Sequence, residues 1–182
     1  MSVRLAMLVS ASLLISFNAN ATQFVCIATA AGVPPTLLLA VALVESGERV
    51  GEGIRPSPYV IRTSVRTLRP RTESAAREAL ASLPPAERQT ADVGPMQISV
   101  RWHGHSVAEL ADLLTPERNV QLGAQILRRA LDSAPGDILT GVARYHTWSD
   151  RDRGRAYARL VLSVEKNLLK SMKGEPANES EC

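Results

Sequence analysis

Apolar positions in this chain recur mostly at helical spacing. Leu37 to Val44 is an unbroken run of eight apolar residues, opened by Pro34-Pro35 and closed by Glu45-Ser46-Gly47. Proline is harmless at a first helical position, and a helix apolar on every side belongs inside a core. Gly47 offers a C-cap. A short helix over 23–31 comes before, ending at Gly32. Further on, 73–83 returns to helical residues and stops at Pro84-Pro85, and 107–114 forms a short helix. Thr115-Pro116-Glu117 reads as a helix start, an N-cap followed by proline and an acid. From there Val120, Leu122, Ala124, Ile126, Leu127, Ala130 and Leu131 keep the period. Segments 136–146 and 155–169 give two more helices. The stretch 48–72 differs: Gly51, Gly53, Pro56, Pro58 and Pro70 surround a β-branched run over 59–68, which predicts a small hairpin or irregular loop. The expected fold is mainly α, a single domain with a small β-hairpin and no internal repeats.

A chain of 182 residues, 45% apolar, suits one domain with a sizeable core. Aromatics at 4% and the lack of repeated short strands argue against a β-barrel. The first residues read as an export signal. Arg4 is the basic n-region, Leu5 to Phe17 is apolar apart from three serines, and Ala19-Asn20-Ala21 matches a small-x-small cleavage site. Residues 1–21 are therefore the expected leader, cleaved near Ala21/Thr22; 22–172 is the domain, and 173–182 a polar, disordered tail. No later apolar run is long enough to span a bilayer after processing. Net charge is +3, with one cation and no acid in the leader. No basic run with interleaved aromatics supports nucleic-acid binding. The two cysteines, Cys26 and Cys182, can pair in an oxidising compartment; an inert buried Cys26 beside a free Cys182 is an equal alternative.

Glu45 is the sharpest chemical feature. It ends an otherwise apolar helix, which taken alone reads best as the point where that helix reaches solvent; if the acid is buried, desolvation and the negative end of the helix dipole both favour its protonated form. A carboxyl protonated near neutral pH is what a general acid needs. A second carboxylate is harder to find. Glu48 lies past the Gly47 cap and reads as solvated, Asp92 as a turn residue before Gly94, and Asp150 and Asp152 as part of a charged surface loop. His103-Gly104-His105 lacks a third ligand at a metal-site spacing. No serine nucleophile elbow stands out.

Glu45-Ser46, then Gly94-Pro95-Met96-Gln97-Ile98, then Ala143-Arg144-Tyr145-His146, behind a leader, resembles the motif series of the soluble lytic transglycosylase family. The segment Gly32 to Ala42 looks like that family's opening region, and the resemblance spans about Cys26 to Leu162. It implies a goose-type lysozyme-like fold with a cleft between a helical core and the 48–72 region. It also implies periplasmic cleavage of the glycan strands of peptidoglycan to 1,6-anhydromuramoyl ends, with no cofactor and no metal. In this likeness Glu45 is the catalytic acid and Ser46 accompanies it. Met96 lines the cleft, Gln97 hydrogen-bonds sugar, and the Tyr145 hydroxyl bonds the acid. His146 stands where the family usually has Asn, Pro95 where it has Leu, and Trp148 near small residues. Small exported members serve secretion, conjugation or pilus machines, so components of such an apparatus are expected partners beside the glycan. A glycan-binding assembly factor without catalysis and a hydrolysing muramidase are the alternatives.

Overall fold

The computed structural model describes residues 22–172, so the expected leader and tail lie outside the described residues. Helix α1 (Thr22–Ala30) meets α2 (Pro35–Ser46) at 113° across a turn in which Gly32 has φ +66°. α2 is buried along Leu37, Leu38, Ala40, Val41 and Ala42, as its all-round apolar sequence requires. Gly47 follows it as the C-cap but is not left-handed, with φ −48°. Its role is space: a Cβ there would lie 2.4 Å from the Leu43 carbonyl oxygen.

The β structure is more extensive than the single hairpin the sequence predicts. Strands β1 (Gly47–Val50) and β2 (Gly53–Pro56) make one antiparallel hairpin directly after α2. A second sheet has the order β4-β3-β5-β6, built from β3 (Ile61–Arg62), β4 (Thr67–Leu68), β5 (Asp92–Val93) and β6 (Ile98–Ser99). Four of these strands are only two residues long, too short for any alternation to be visible in sequence. Between β4 and β5 lie α3 (Glu73–Ser82), capped by the Thr72 hydroxyl, and the single-turn α4 (Pro85–Gln89).

After β6 the chain forms α5 (Val100–His103) and two short 3₁₀ turns, Gly104–Ser106 and Leu110–Leu114, the second where a short α-helix is expected. Then come α6 (Pro116–Asp132), α7 (Ile138–His146) and α8 (Arg151–Met172). Thr115 is the N-cap of α6, yet its hydroxyl does not cap the helix and instead meets Arg77 and Glu73 of α3. α8 starts earlier than its apolar period suggests, because the Asp150 carboxylate accepts the Arg153 amide at 3.0 Å. The fold is mainly helical with small antiparallel sheets.

α8 packs along α2 and α7, and α6 packs on α7. The core joins Leu37 and Val41 to Leu127, Val142 and Val161, closed from the sheet side by Ile61, Val93 and Ile98. Among the described residues no single helix is long and apolar enough to cross a membrane. Cys26 is disulfide-bonded, which removes the inert-thiol alternative; the chain's other cysteine lies outside the described residues.

Asn119 of α6 fastens the sheet to the helices. It is fully buried; its Oδ1 accepts the Met96 amide at 2.8 Å, and its Nδ2 donates to the Val93 and Leu113 carbonyls, each at 2.8 Å. Removing one partner leaves the others buried and unsatisfied. Asn119→Ala should therefore lower stability by about 3 kcal/mol in urea unfolding, far more than a surface Asn→Ala control.

Candidate active site

Glu45 lies in the last turn of α2 with 9% of its surface exposed. Its carboxyl opens onto a cleft of about 900 Å³. The sheet contributes Arg62, Asp92 and Ser99 to that cleft, the turn between β5 and β6 contributes Gln97, and the helices contribute Arg129, Tyr145, His146 and Arg153. Trp102 and Trp148 also line it, 64% and 67% exposed.

Burial is the main reason the Glu45 carboxyl is pushed from the usual 4.5 up to about 7. The Tyr157 hydroxyl and the Arg62 charge pull it down, while the negative charge of Asp92 pushes it up. The helix dipole is opposed more directly than the sequence suggests. α2 has no basic residue in its last turn. Instead, Arg62 Nη2 donates to the Glu45 carbonyl at 2.8 Å and Arg69 Nη1 to the Ser46 carbonyl at 3.3 Å. Two cations, one on β3 and one just after β4, thus cap the helix end. Arg62 also stands 4.0 Å from Glu45 Oε2.

The turn 94–97 between β5 and β6 brings the second motif to the acid. Gly94 has φ +76°, and a Cβ there would lie 2.3 Å from the Asn119 side chain. Only glycine meets both demands. The Ser46 hydroxyl lies 2.8 Å from the Pro95 carbonyl and 3.0 Å from that of Ala42, which joins the end of α2 to this turn. Gln97 lines the cleft with φ +46°, a left-handed conformation that costs a non-glycine residue about 1 kcal/mol. Its amide nitrogen donates to the Gly94 carbonyl at 2.9 Å, so it holds its own turn. Its Oε1 is enclosed and, among the described residues, accepts no hydrogen bond.

Two expected placements differ. Met96 does not line the cleft; it is fully buried, packed on the Gly123 backbone of α6, because the tight turn directs it inward. The Tyr145 hydroxyl does not bond the acid. It donates to the Met96 carbonyl at 2.8 Å, fixing the turn. The phenol acting on Glu45 is Tyr157 of α8. Its oxygen is buried and, among the described residues, meets no acceptor at full hydrogen-bond geometry, so its contact with the carboxyl falls outside that geometry. His146 stacks on the Tyr157 ring, centroids 4.4 Å apart and planes 9° from parallel. Burial, and then Arg153 and Arg62, hold His146 below the usual 6.5, so the imidazole is neutral at pH 7. Tyr157 carries a sequence signal of its own: with Gly154, Ala158 and Val161 it forms the buried face of α8.

Asp92 is the second acid in the cleft. It pairs with Arg62 across β3–β5 and with Ser99 across β5–β6. Burial raises its carboxyl, opposed by Ser99, Arg62 and Arg153. Glu48, by contrast, is half-buried on β1 beside Arg55 and Arg69, at 3.7 and 3.9 Å.

Two outcomes follow for the acid. The folded protein holds the Glu45 proton to higher pH than the unfolded chain does, so stability is lost as pH rises between about 4.5 and 7. Glu45→Gln removes that loss. Thermal unfolding should find the variant more stable than the parent at pH 8, by up to about 3 kcal/mol, with the gap closing toward pH 5. Tyr157→Phe removes a group that lowers the Glu45 pKa, so NMR titration of the carboxyl should give a midpoint above the parent's, while Tyr145→Phe moves it less. Compared with protein-family models, curated proteins and solved structures, the chain has no significant match.

Proposed function

We propose that this protein is an exported, periplasmic lytic transglycosylase with a lysozyme-like fold. It would cut the β-1,4 bond between N-acetylmuramic acid and N-acetylglucosamine in peptidoglycan. The observation that carries this reading is a mostly buried carboxyl with a pKa of about 7 facing an open cleft. Such a group holds its proton near neutral pH and can donate it to a glycosidic oxygen. Once ionised, Glu45 accepts the proton of the muramic acid 6-hydroxyl, whose oxygen attacks its own anomeric carbon. An intramolecular nucleophile arrives already positioned, so the route requires neither a held water nor a second carboxylate. The product is a 1,6-anhydromuramoyl end, and no metal or cofactor takes part.

The remaining residues support the same chemistry. Ser46, Tyr145 and Asn119 hold the turn that carries Gln97 beside the acid. The exposed faces of Trp102 and Trp148 suit stacking against sugar rings. The order Glu45-Ser46, Gly94 to Gln97, Ala143 to His146 adds the resemblance to the soluble lytic transglycosylases. By that resemblance, local wall opening for a secretion, conjugation or pilus apparatus is the proposed setting.

Asp92 favours a second reading. It lines the same cleft, acts electrostatically on Glu45 and is itself raised by burial. A hydrolysing muramidase would use it as the second carboxylate. The products separate the two: mass spectrometry of digested murein should find ends lighter by one water, whereas reducing muramic ends would assign the reaction to the hydrolase. In either case Glu45→Gln should reduce cleavage by at least about a hundredfold, as expected for loss of a general acid. kcat/KM of the parent should fall as pH rises through about 7, where the acid loses its proton. Undiminished clearing of murein by Glu45→Gln would remove Glu45 as the acid, whereas no clearing by the parent protein would leave only a glycan-binding role.

A further inference from the structure

We infer that the outer face of α8 is a docking surface for an anionic lipid bilayer, on which the protein lies with its cleft open to solvent. The inference goes beyond the proposed cleavage and does not depend on it.

Charge singles out α8. The helix carries six cations and two acids, against 21 and 18 in the whole chain. α8 is thus +4 while the chain is +3, so everything outside this helix sums to −1. Five of the six cations, Arg151, Arg155, Arg159, Lys166 and Lys170, are exposed. They stand at i, i+4, i+8, i+15 and i+19, which at about 3.6 residues per turn places them on one stripe. The stripe points away from Tyr157, the α8 side chain that acts on Glu45. The sixth cation, Arg153, lines the cleft; none of the five does.

Such a stripe costs the helix stability, because like charges four residues apart repel. Arg159, Lys166 and Lys170 have no acid three or four positions away to offset this. Among the described residues none of the five has a carboxylate within 4.0 Å, and Arg155 acts only at longer range, on Asp137. Solubility is served as well by cations scattered over the surface; alignment suits an extended anionic partner. Cations alone would suit any polyanion, but the apolar residues beside them favour lipid. Leu162 and Leu169, with Lys166 and Lys170, line a shallow hollow of about 330 Å³. Glu165 at its edge is engaged by the Thr36 hydroxyl at 3.0 Å. Leu169 is 45% exposed and Leu160 55%. A bilayer surface offers phosphates and acyl carbon in one contact, and lysine stems lie along the apolar part while their ammoniums reach the phosphates. A soluble acidic chain would use the charges and leave the leucines in water. At 22 residues α8 is about 33 Å long, enough to meet several headgroups while lying flat.

The test is co-sedimentation of the purified protein with vesicles of phosphatidylglycerol and phosphatidylcholine in equal parts, and with vesicles of phosphatidylcholine alone. Partitioning onto the anionic vesicles should be at least about tenfold stronger, and the difference should shrink as salt rises. A cation near such a surface is worth about fivefold, so Arg159→Gln with Lys166→Gln should cost at least about tenfold, whereas Arg159→Lys with Lys166→Arg should retain the binding. Leu169→Ser should cost about threefold. All of these positions are exposed, so thermal unfolding midpoints should match the parent's. Equal partitioning onto the two kinds of vesicle, or anionic binding untouched by the two glutamines, overturns the inference. Anionic binding that ignores Leu169→Ser would assign the face to a soluble acidic partner and overturns it as well. So does binding that emerges only after Glu175, Glu179 and Glu181 are changed to Gln, which would make the chain's own acidic segment the occupant. Failure of the parent to cleave murein, with vesicle binding intact, would count against the proposed activity alone.

Discussion

The fold is organised around keeping one carboxyl out of water. Burying an acid is costly unless it is neutral or closely compensated. Here Glu45 gains only partial compensation, from Arg62 at 4.0 Å and the Tyr157 hydroxyl, so the proton is retained to about pH 7. That balance depends on parts distant in the chain. α8 supplies Tyr157 and packs along α2; the second sheet supplies Arg62; the 94–97 turn closes over the end of α2 through Ser46. Full ion pairing would lower the carboxyl into the ordinary range, and complete isolation would raise it further. The observed position lies between, because Arg62 spends one nitrogen on the Glu45 backbone carbonyl and holds the other at the limit of contact.

The 94–97 turn illustrates how strain is carried at such a site. Gln97 adopts φ +46° without being glycine, and Gly94 beside it is left-handed as well. Residues in such conformations persist when the surroundings over-determine them. The fasteners are identifiable: Asn119 on the Met96 amide, Tyr145 on the Met96 carbonyl, Ser46 on the Pro95 carbonyl. Each of the three comes from a different helix, so the turn is stable only once α2, α6 and α7 are assembled.

What the sequence made legible follows from the range of the interactions. The buried α2, its terminal acid and the boundaries of α3, α6 and α7 depend on contacts within a few residues, and periodicity with caps is enough to read them. The two-residue strands are not readable, because they exist only through pairing with distant partners such as Ile61 with Val93. Arg62 was invisible for the same reason: nothing local connects residue 62 to the end of α2. The exchange of tasks between the two phenols is the instructive case. Tyr145 stands at the motif position, yet its hydroxyl is committed to the Met96 carbonyl, and the acid meets Tyr157 from the next helix. A motif fixes which residues gather at a site, while the register of α7 against α8 decides which hydroxyl reaches which acceptor.

Charge within the cleft is divided by location. Four guanidiniums and two carboxyls share one open volume, and pooled together they would draw the Glu45 proton off well below pH 7. They are not pooled. The charges acting on Glu45 are those of Arg62 and Asp92, of opposite sign, so they offset one another at the carboxyl. Arg153 acts instead on Asp92 and on neutral His146, whose ring lies flat against Tyr157. His146 stacks on Tyr157, the phenol that acts on Glu45. Burial remains the largest influence on the Glu45 carboxyl. A cationic wall able to attract an anionic polymer and a carboxyl able to keep its proton are competing electrostatic demands. This cleft meets both by location: the charges that act on Glu45 are of opposite sign, while Arg153 acts on Asp92 and His146.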